Sequence, residues 1–397
     1  MKENRLHIAF VANTSWSIYN FRLGVIKQFI NAGHTVYALS PRDAYTEKLI
    51  ATKIKYIDLQ LNNFNTNPIT DTKLLIQLIR IYRRHKFDKI FHYTIKPNIY
   101  GSLAASLTGT PSISITTGLG KTFSFNNWLV QKSILKLYKL ALNKVDEVWT
   151  LNDSNYAKLI TAGLTTKSKS FLLPSEGINT QRFRPSLKKK ESKVFRFLFA
   201  GRLLADKGIY DFIKSARIIR QYHANIKFEI LGFLSPNNKN SVKLEELNLW
   251  QEEGIINYLG STEDVRPYID RTDCVVLPSF YQEGISRILL EAASMATPII
   301  TTDHVGCREV VIDGHNGFLV PPRDIKSLTK NMGHVLQLPS EQLRSMGNNG
   351  RILVKDKYDE RKIINIYKQV LDNVSIQDRE VEITSSTLPF QLKDNDN

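Results

Sequence analysis

Glu283 and Glu291 stand eight residues apart in the run Gln282-Glu283-Gly284-Ile285-Ser286-Arg287-Ile288-Leu289-Leu290-Glu291, which follows the short apolar segment 275–279 after two residues. Apolar residues at 285, 288, 289, 292 and 293, with no Gly or Pro among them, predict a helix over 285–294. Glu291 then lies two turns into the helix and Glu283 on the loop at its N-terminus, roughly 12 Å apart along the axis. Such a helix end attracts anions through unpaired N–H groups and the positive end of its dipole, and Gly284 lets a ligand reach the backbone. One carboxylate near a sugar and another a helix length away suit a nucleotide diphosphate sugar, and suit a single metal ion less well. A second run that handles anions, Gly201-Arg202-Leu203-Leu204-Ala205-Asp206-Lys207-Gly208, follows a predicted strand at 195–199. Arg202 offers phosphate a planar fork and Lys207 a point charge. On its own this loop is equally compatible with solvated basic residues. Its weight comes from the 283–291 turn, which occupies the equivalent strand-to-helix position three strands later.

The elements that must position these residues alternate along the whole chain. Strands are predicted at 6–12, 36–39, 89–92, 111–115 and 147–151, with helices at 18–32, 71–86 and 127–144 between them. The rhythm restarts with strands at 195–199, 226–231, 256–259, 274–277 and 298–302 and helices at 208–221, 241–252, 285–295 and 324–337, followed by helices near 340–354 and 359–374. The predicted fold class is α/β, with two facing Rossmann-like, doubly wound parallel-sheet domains and a ligand in the interdomain cleft, beyond the carboxyl ends of the strands. The predicted boundaries are a basic N-terminal domain at 1–181, a linker at 182–193 carrying Lys188-Lys189-Lys190, a C-terminal domain at 194–358, a closing helix at 359–375 and a disordered polar tail at 376–397.

Totals narrow the class. At 397 residues, 42% hydrophobic and 23% charged, the chain has ordinary globular composition and no run of 18 apolar residues. The five-residue run Ile8 to Ala12 reads as a strand rather than a signal-peptide core. Two cysteines, Cys274 and Cys307, cannot form a disulfide framework, which places the chain in a reduced cytoplasm. The net charge of +16 is lopsided: residues 1–187 hold 25 Lys and Arg against 10 Asp and Glu, and the remainder 29 against 28. A positive half-molecule collects on phospholipid, nucleic acid or a polyphosphate substrate. The predicted helix at 127–144 sets Lys132, Lys136, Lys139 and Asn143 along one stripe flanked by Trp128, Leu129, Leu135 and Leu142, and the helix at 71–86 adds Arg80, Arg83, Arg84 and Lys86. Both suit an anionic membrane surface. No nucleic-acid motif appears, nor an aromatic platform interleaved with the basic residues, so no nucleic-acid partner is expected.

The second half resembles the retaining glycosyltransferases of family 4, which have the GT-B fold. The matching elements are Gly201-Arg202 with Lys207-Gly208, Tyr258-Leu259-Gly260, Val276-Leu277-Pro278-Ser279, Glu283-Gly284 with Glu291-Ala292, Pro298-Ile299-Ile300 and Gly314-His315-Asn316-Gly317. The resemblance implies that Gly201, Arg202 and Lys207 bind the donor diphosphate, with Arg202, Lys207 and Glu283 forming the catalytic set. It further implies that Glu283 touches donor-sugar hydroxyls, that backbone N–H groups of Gly284, Ile285 and Ser286 lie near sugar and phosphate, that Glu291 holds the ribose, and that the Tyr258 stretch meets the base. The first half, through Thr94-Ile95-Lys96-Pro97-Asn98-Ile99-Tyr100-Gly101 and Thr117-Gly118-Leu119-Gly120-Lys121, is similar to bacterial members that extend lipid-linked oligosaccharides for capsule, O-antigen or protein glycans, among them N-acetylgalactosaminyltransferases acting on undecaprenyl-diphosphate sugars. Many relatives carry a glycine pair after the first strand, where this chain has Asn13-Thr14-Ser15-Trp16-Ser17.

The expected activity is therefore transfer of a hexose or N-acetylhexosamine from a UDP-sugar to an undecaprenyl-diphosphate-linked sugar, with retention and with no metal or other cofactor. The partners are the nucleotide-sugar donor, the lipid-linked acceptor and the inner face of the plasma membrane, to which the protein would attach peripherally. Arg22, His92, Lys96, Asn98 and Lys121 are the acceptor-binding candidates. The other readings are a sugar-nucleotide epimerase of the same fold, which leaves the basic half without a purpose, and a polyanion- or nucleic-acid-binding protein.

Overall fold

β1 (His7–Val11) has no polar residue after its first, the composition of a strand covered on both faces. In the computed structural model, which describes residues 5–61, 67–118, 128–186, 194–236 and 238–386, its side chains divide accordingly. Ile8 and Phe10 join one core cluster, and Ala9 and Val11 join another on the opposite face. β2 (Thr35–Ser40), β3 (Lys55–Asp58), β4 (Lys89–Tyr93), β5 (Ser112–Thr116), β6 (Glu147–Thr150) and β7 (Ser170–Leu172) complete a sheet of order β3-β2-β1-β4-β5-β6-β7. Every pairing in it is parallel. The order reverses between β1 and β4, where Val11 pairs with His92.

The second sheet repeats the scheme. β8 (Phe195–Ala200), β9 (Ile226–Leu231), β10 (Asn257–Tyr258), β11 (Cys274–Leu277), β12 (Ile299–Thr302) and β13 (Gly317–Val320) lie in the order β10-β9-β8-β11-β12-β13, again parallel throughout. Its switch point falls between β8 and β11. The loops that leave these two strands at their carboxyl ends are those carrying Arg202 and Lys207 on one side and Glu283 on the other.

The chain forms two compact units, one of residues up to Gly177 together with those from Glu360 on, the other Ile178–Asp359. This corrects the expected boundaries. Residues 178–186 belong to the second unit: Ile178 bridges Asp359, Phe183 is buried in its core, and the Ser186 hydroxyl donates to Asp270 at 2.8 Å. The helix Glu360–Leu371 returns to the first unit and lays Ile363, Ile366, Tyr367 and Val370 into its core, with the Tyr93 and Tyr367 hydroxyls 2.8 Å apart. Residues 376–386, expected to be a disordered tail, form a further helix. Its Arg379 is fully buried, pairs with Glu147 at 2.5 Å and lies over the Phe171 ring at 4.8 Å. Few apolar residues are needed to dock a helix when one buried arginine finds both a carboxylate and an aromatic face. With this return the first unit carries 28 Lys and Arg against 17 Asp and Glu by sequence, a smaller excess than residues 1–187 carry.

Candidate active site

Gly201 directly follows β8 at φ +148, a conformation that side chains rarely adopt, and a Cβ there would meet no atom within 4 Å. The backbone is thus bare toward open space at the carboxyl end of a central strand. Arg202 follows, half-buried and without a carboxylate partner among the described residues. Its guanidinium lies 5.1 Å from the centre of the Tyr281 ring. Lys207, 7% exposed, is 5.0 Å from the same ring and donates to Glu283 Oε1 at 2.7 Å. The loops after β8 and β11 are locked together beneath these side chains. Phe280 N–H donates to the Asp206 carbonyl at 2.9 Å, and Gly208, at φ +78, packs so closely that a Cβ would stand 2.0 Å from the Pro278 carbonyl oxygen.

Glu283 is also braced from the loop after β12. Gly306, at φ +90, leaves no room for a Cβ, which would come within 2.7 Å of Glu283 Cγ. The Ser286 N–H donates to the Gly306 carbonyl at 2.7 Å. This corrects two expectations: the Ser286 N–H is committed to protein, and the helix begins at Arg287 (Arg287–Ser294), because Ser286 is held extended by that bond. Glu291 is consequently one turn into the helix. Gly284 is buried, and Ile285 packs against the core. Ser286 supplies no side-chain cap, so the first turn of the helix points its N–H groups outward from an end adjoining Glu283 and Gly284.

Glu291 is largely covered, with 12% of its side chain exposed, and accepts from Arg287 Nε at 3.0 Å across one turn. Burial pushes its carboxyl above the usual carboxylate range, and Arg287 opposes the shift. A buried carboxylate kept at that cost and steadied by an arginine is placed to accept hydrogen bonds from hydroxyls. Tyr258 donates its hydroxyl to the Gly232 carbonyl at 2.8 Å, which ties β10 to the end of β9. Burial pushes the Cys307 thiol up to about 11, with the Glu283 charge adding to the shift, so this cysteine is an inert part of the wall. Sequence reasoning missed Tyr281, Arg287 and Gly306. The four-residue spacing of Arg287 and Glu291 could have revealed the second; for Gly306 there was no local signal.

The first unit treats its candidates differently. Arg22 is 3% exposed, pairs with Glu176, donates to the Ser17 carbonyl at 2.7 Å and lies 4.1 Å from the Tyr93 ring centre. It fills the core and offers no charge to a ligand. His92 is fully buried, with Nε2 3.0 Å from the Tyr82 hydroxyl and Nδ1 3.4 Å from that of Ser102. Asn98 is buried too, donating to the Ile115 carbonyl at 3.1 Å. All three face inward in the structure: His92 lies in β4, Arg22 lies two turns into the helix Ser15–Asn31, and Asn98 lies in the turn Pro97–Gly101. Lys96 is mostly covered, with 15% of its side chain exposed, and donates to Asp71 at 2.6 Å, and Tyr100 donates to the same carboxylate at 2.9 Å. Lys121 lies outside the described residues. The carboxyl edge of this sheet shows two other features. Thr94, a β-branched residue, sits at φ +69 directly after β4 and leads toward a π-helical turn at Pro97–Gly101. Trp16, at the start of the helix Ser15–Asn31, is 42% exposed with its ring against the edge of Phe21.

Comparison with known proteins agrees with this geometry. Residues 179–353 match the family described as glycosyl transferases group 1, and residues 7–152 match glycosyl transferase 4-like. The chain is 28% identical over 386 residues, 93% of its length and 99% of the relative's, to the N,N'-diacetylbacillosaminyl-diphospho-undecaprenol alpha-1,3-N-acetylgalactosaminyltransferase of Campylobacter jejuni. It is 26% identical, over 73% of its length and 78% of the relative's, to the UDP-Gal:alpha-D-GlcNAc-diphosphoundecaprenol alpha-1,3-galactosyltransferase of Escherichia coli. Among solved structures, HepE of Anabaena in complex with UDP superposes with a TM-score of 0.78 at 16% identity, covering 93% of this chain and 100% of that one. Two Rossmann-like sheets with their switch-point loops so equipped, and family models matching both halves, place the chain among the group 1, family-4-like glycosyltransferases of GT-B fold.

Proposed function

We propose that the protein transfers a hexose or N-acetylhexosamine from a UDP-sugar to an undecaprenyl-diphosphate-linked sugar in surface polysaccharide or glycan synthesis, keeping the anomeric configuration and using no metal. The observation that carries this is the convergence of Arg202, Lys207 and Glu283 on the switch point of the second sheet, with Glu291 on the following helix. Arg202 and Lys207 are fixed cations where the leaving diphosphate gains charge, which is the electrostatic task a metal performs in other transferases. Glu283 sits within reach of a sugar beside that diphosphate, and Glu291 suits the ribose hydroxyls. The acceptor falls to the first unit, where the strained Thr94 and the exposed Trp16 mark the ends of β4 and β1 as a ligand edge. The names of the Campylobacter and Escherichia relatives support a diphosphoundecaprenol acceptor. Transfer with retention fits attack from the leaving-group face, the departing phosphate oxygen taking the acceptor proton.

Calorimetric titration of UDP in EDTA tests the donor assignment. Binding is expected without metal, weakened about tenfold or more in Glu291→Ala, where a bidentate carboxylate contact to two hydroxyls is lost. No UDP binding, or binding that requires added divalent ion, would remove the corresponding part of the proposal.

The first unit also fits an anionic membrane. On the helix Trp128–Leu142, Trp128 is 65% exposed beside exposed Leu129, Lys132, Lys136 and Lys139, and a groove of about 460 Å³ runs along it, lined also by Leu135 and Leu164. Leu142, expected to flank this stripe, is buried. No described helix is long and apolar enough to cross a membrane. Peripheral attachment then rests on roughly 1 kcal/mol per basic residue plus insertion of Trp128 and Leu129. Vesicles with anionic lipid should bind the protein and release most of it in high salt, and Trp128→Ala should weaken what remains. Equal binding to neutral vesicles contradicts the electrostatic part.

A further inference from the structure

Tyr281 stands on the loop after β11, and its ring takes two cations from the loop after β8: the Arg202 guanidinium at 5.1 Å and Lys207 Nζ at 5.0 Å from the centroid. Two like charges five residues apart in sequence repel each other unless something anionic holds them. Glu283 neutralises Lys207, but no carboxylate among the described residues reaches Arg202. The π-face is therefore its principal anchor, since the negative face of an aromatic quadrupole attracts a guanidinium. The backbone that carries the ring is itself held. The Tyr281 N–H donates to Ser279 Oγ at 3.3 Å, Ser279 is fully buried, and its hydroxyl lies 3.5 Å from the Asp206 carbonyl on the opposite loop. The Tyr281 hydroxyl has no hydrogen-bond partner among the described residues, so the ring face rather than the oxygen makes the contact.

We propose that Tyr281 is a positioning residue for the donor diphosphate: its ring fixes Arg202, and secondarily Lys207, in place before the ligand arrives. An arginine side chain left to itself loses much of its rotamer freedom when it grips an anion; one already laid on a rigid ring has lost that freedom in advance. The gain belongs to the diphosphate alone, because neither cation is assigned to the nucleoside. This inference rests on the donor reading above.

The test compares UDP with uridine as calorimetric probes in wild type, Tyr281→Leu and Tyr281→Phe, with thermal melts as a check on folding. Tyr281→Leu should lower UDP affinity about tenfold and leave uridine affinity within about twofold, while Tyr281→Phe keeps both. In the background of Arg202→Ala, Tyr281→Leu should cost distinctly less than alone, because the two act as one unit. Four results overturn the proposal: UDP affinity unchanged in Tyr281→Leu, uridine lost in parallel with UDP, Tyr281→Phe as weak as Leu, or full additivity with Arg202→Ala. A wild-type protein that fails to bind UDP overturns the donor reading and this inference with it. Wild-type UDP binding that is insensitive to Tyr281 overturns this inference alone.

Discussion

Arg202→Ala is expected to lower kcat/KM for the nucleotide-sugar donor about a hundredfold and to leave thermal stability nearly unchanged. The rate effect follows from position. Arg202 is aimed from the bare carboxyl end of β8, where Gly201 leaves room for a ligand, and its charge is not cancelled by a carboxylate among the described residues. A fixed cation facing a departing diphosphate is worth more in the transition state than in the ground state, since charge builds on the leaving oxygen as the bond breaks. Losing one such contact costs on the order of 3 kcal/mol of barrier. The stability effect is small because the side chain is half-exposed and makes one cation–π contact. Steady-state kinetics with a panel of UDP-sugars, beside a melting curve, checks both. A variant of full activity contradicts the role; one that is inactive because it is unfolded would show it in the melt. Lys207→Ala should be different in kind. Its partly buried partner Glu283 would lose that ion pair, so that variant loses stability as well as rate.

The second large effect is on stability against acid. His92 is fully buried against Tyr82, Ser102 and Gly101, and burial alone lowers its imidazole from 6.5 to about 3. The folded protein therefore holds this histidine neutral where the unfolded chain would protonate it. Below 6.5 the unfolded state binds the extra proton and gains over the native state by up to about 1.4 kcal/mol for each pH unit, until the folded group itself titrates near 3. The contribution is complete above 6.5 and is lost as pH falls from there toward 3. Denaturant melts across this range should show the first unit weakening steeply, and His92→Gln should be less stable at neutral pH yet flatter in its acid dependence. An unchanged slope in His92→Gln would mean that some other group governs acid unfolding.

The contrast between these two residues shows how far the chain can be read in one dimension. The placement of Arg202 and Glu283 on neighbouring switch-point loops was legible because each loop follows a short apolar strand and precedes a helix. His92 and Asn98 share much the same local setting, near a strand end or a helix start, and Arg22 lies two turns into the helix after β1; all three are nevertheless internal. What separates them is the partner: Tyr82 lies 10 residues from His92, Glu176 lies 154 from Arg22, and Ile115 lies 17 from Asn98. No spacing rule links such pairs. The start of the site helix moved for the same reason, since Ser286 bonds to Gly306, twenty residues onward on another loop.

The sequence by itself determined the two parallel sheets, the switch-point loops that carry Arg202, Lys207 and Glu283, and the family, because alternating strand and helix periods and switch-point motifs are local properties of the chain. The tertiary structure decided where the units divide, for Gly177 and Glu360 are neighbours only when the last helices fold back under the first sheet. It also decided which polar residues are spent on the core, and that Tyr281 brings Arg202 and Lys207 to one ring. These depend on residues far apart in the chain meeting in space, and only packing brings them together.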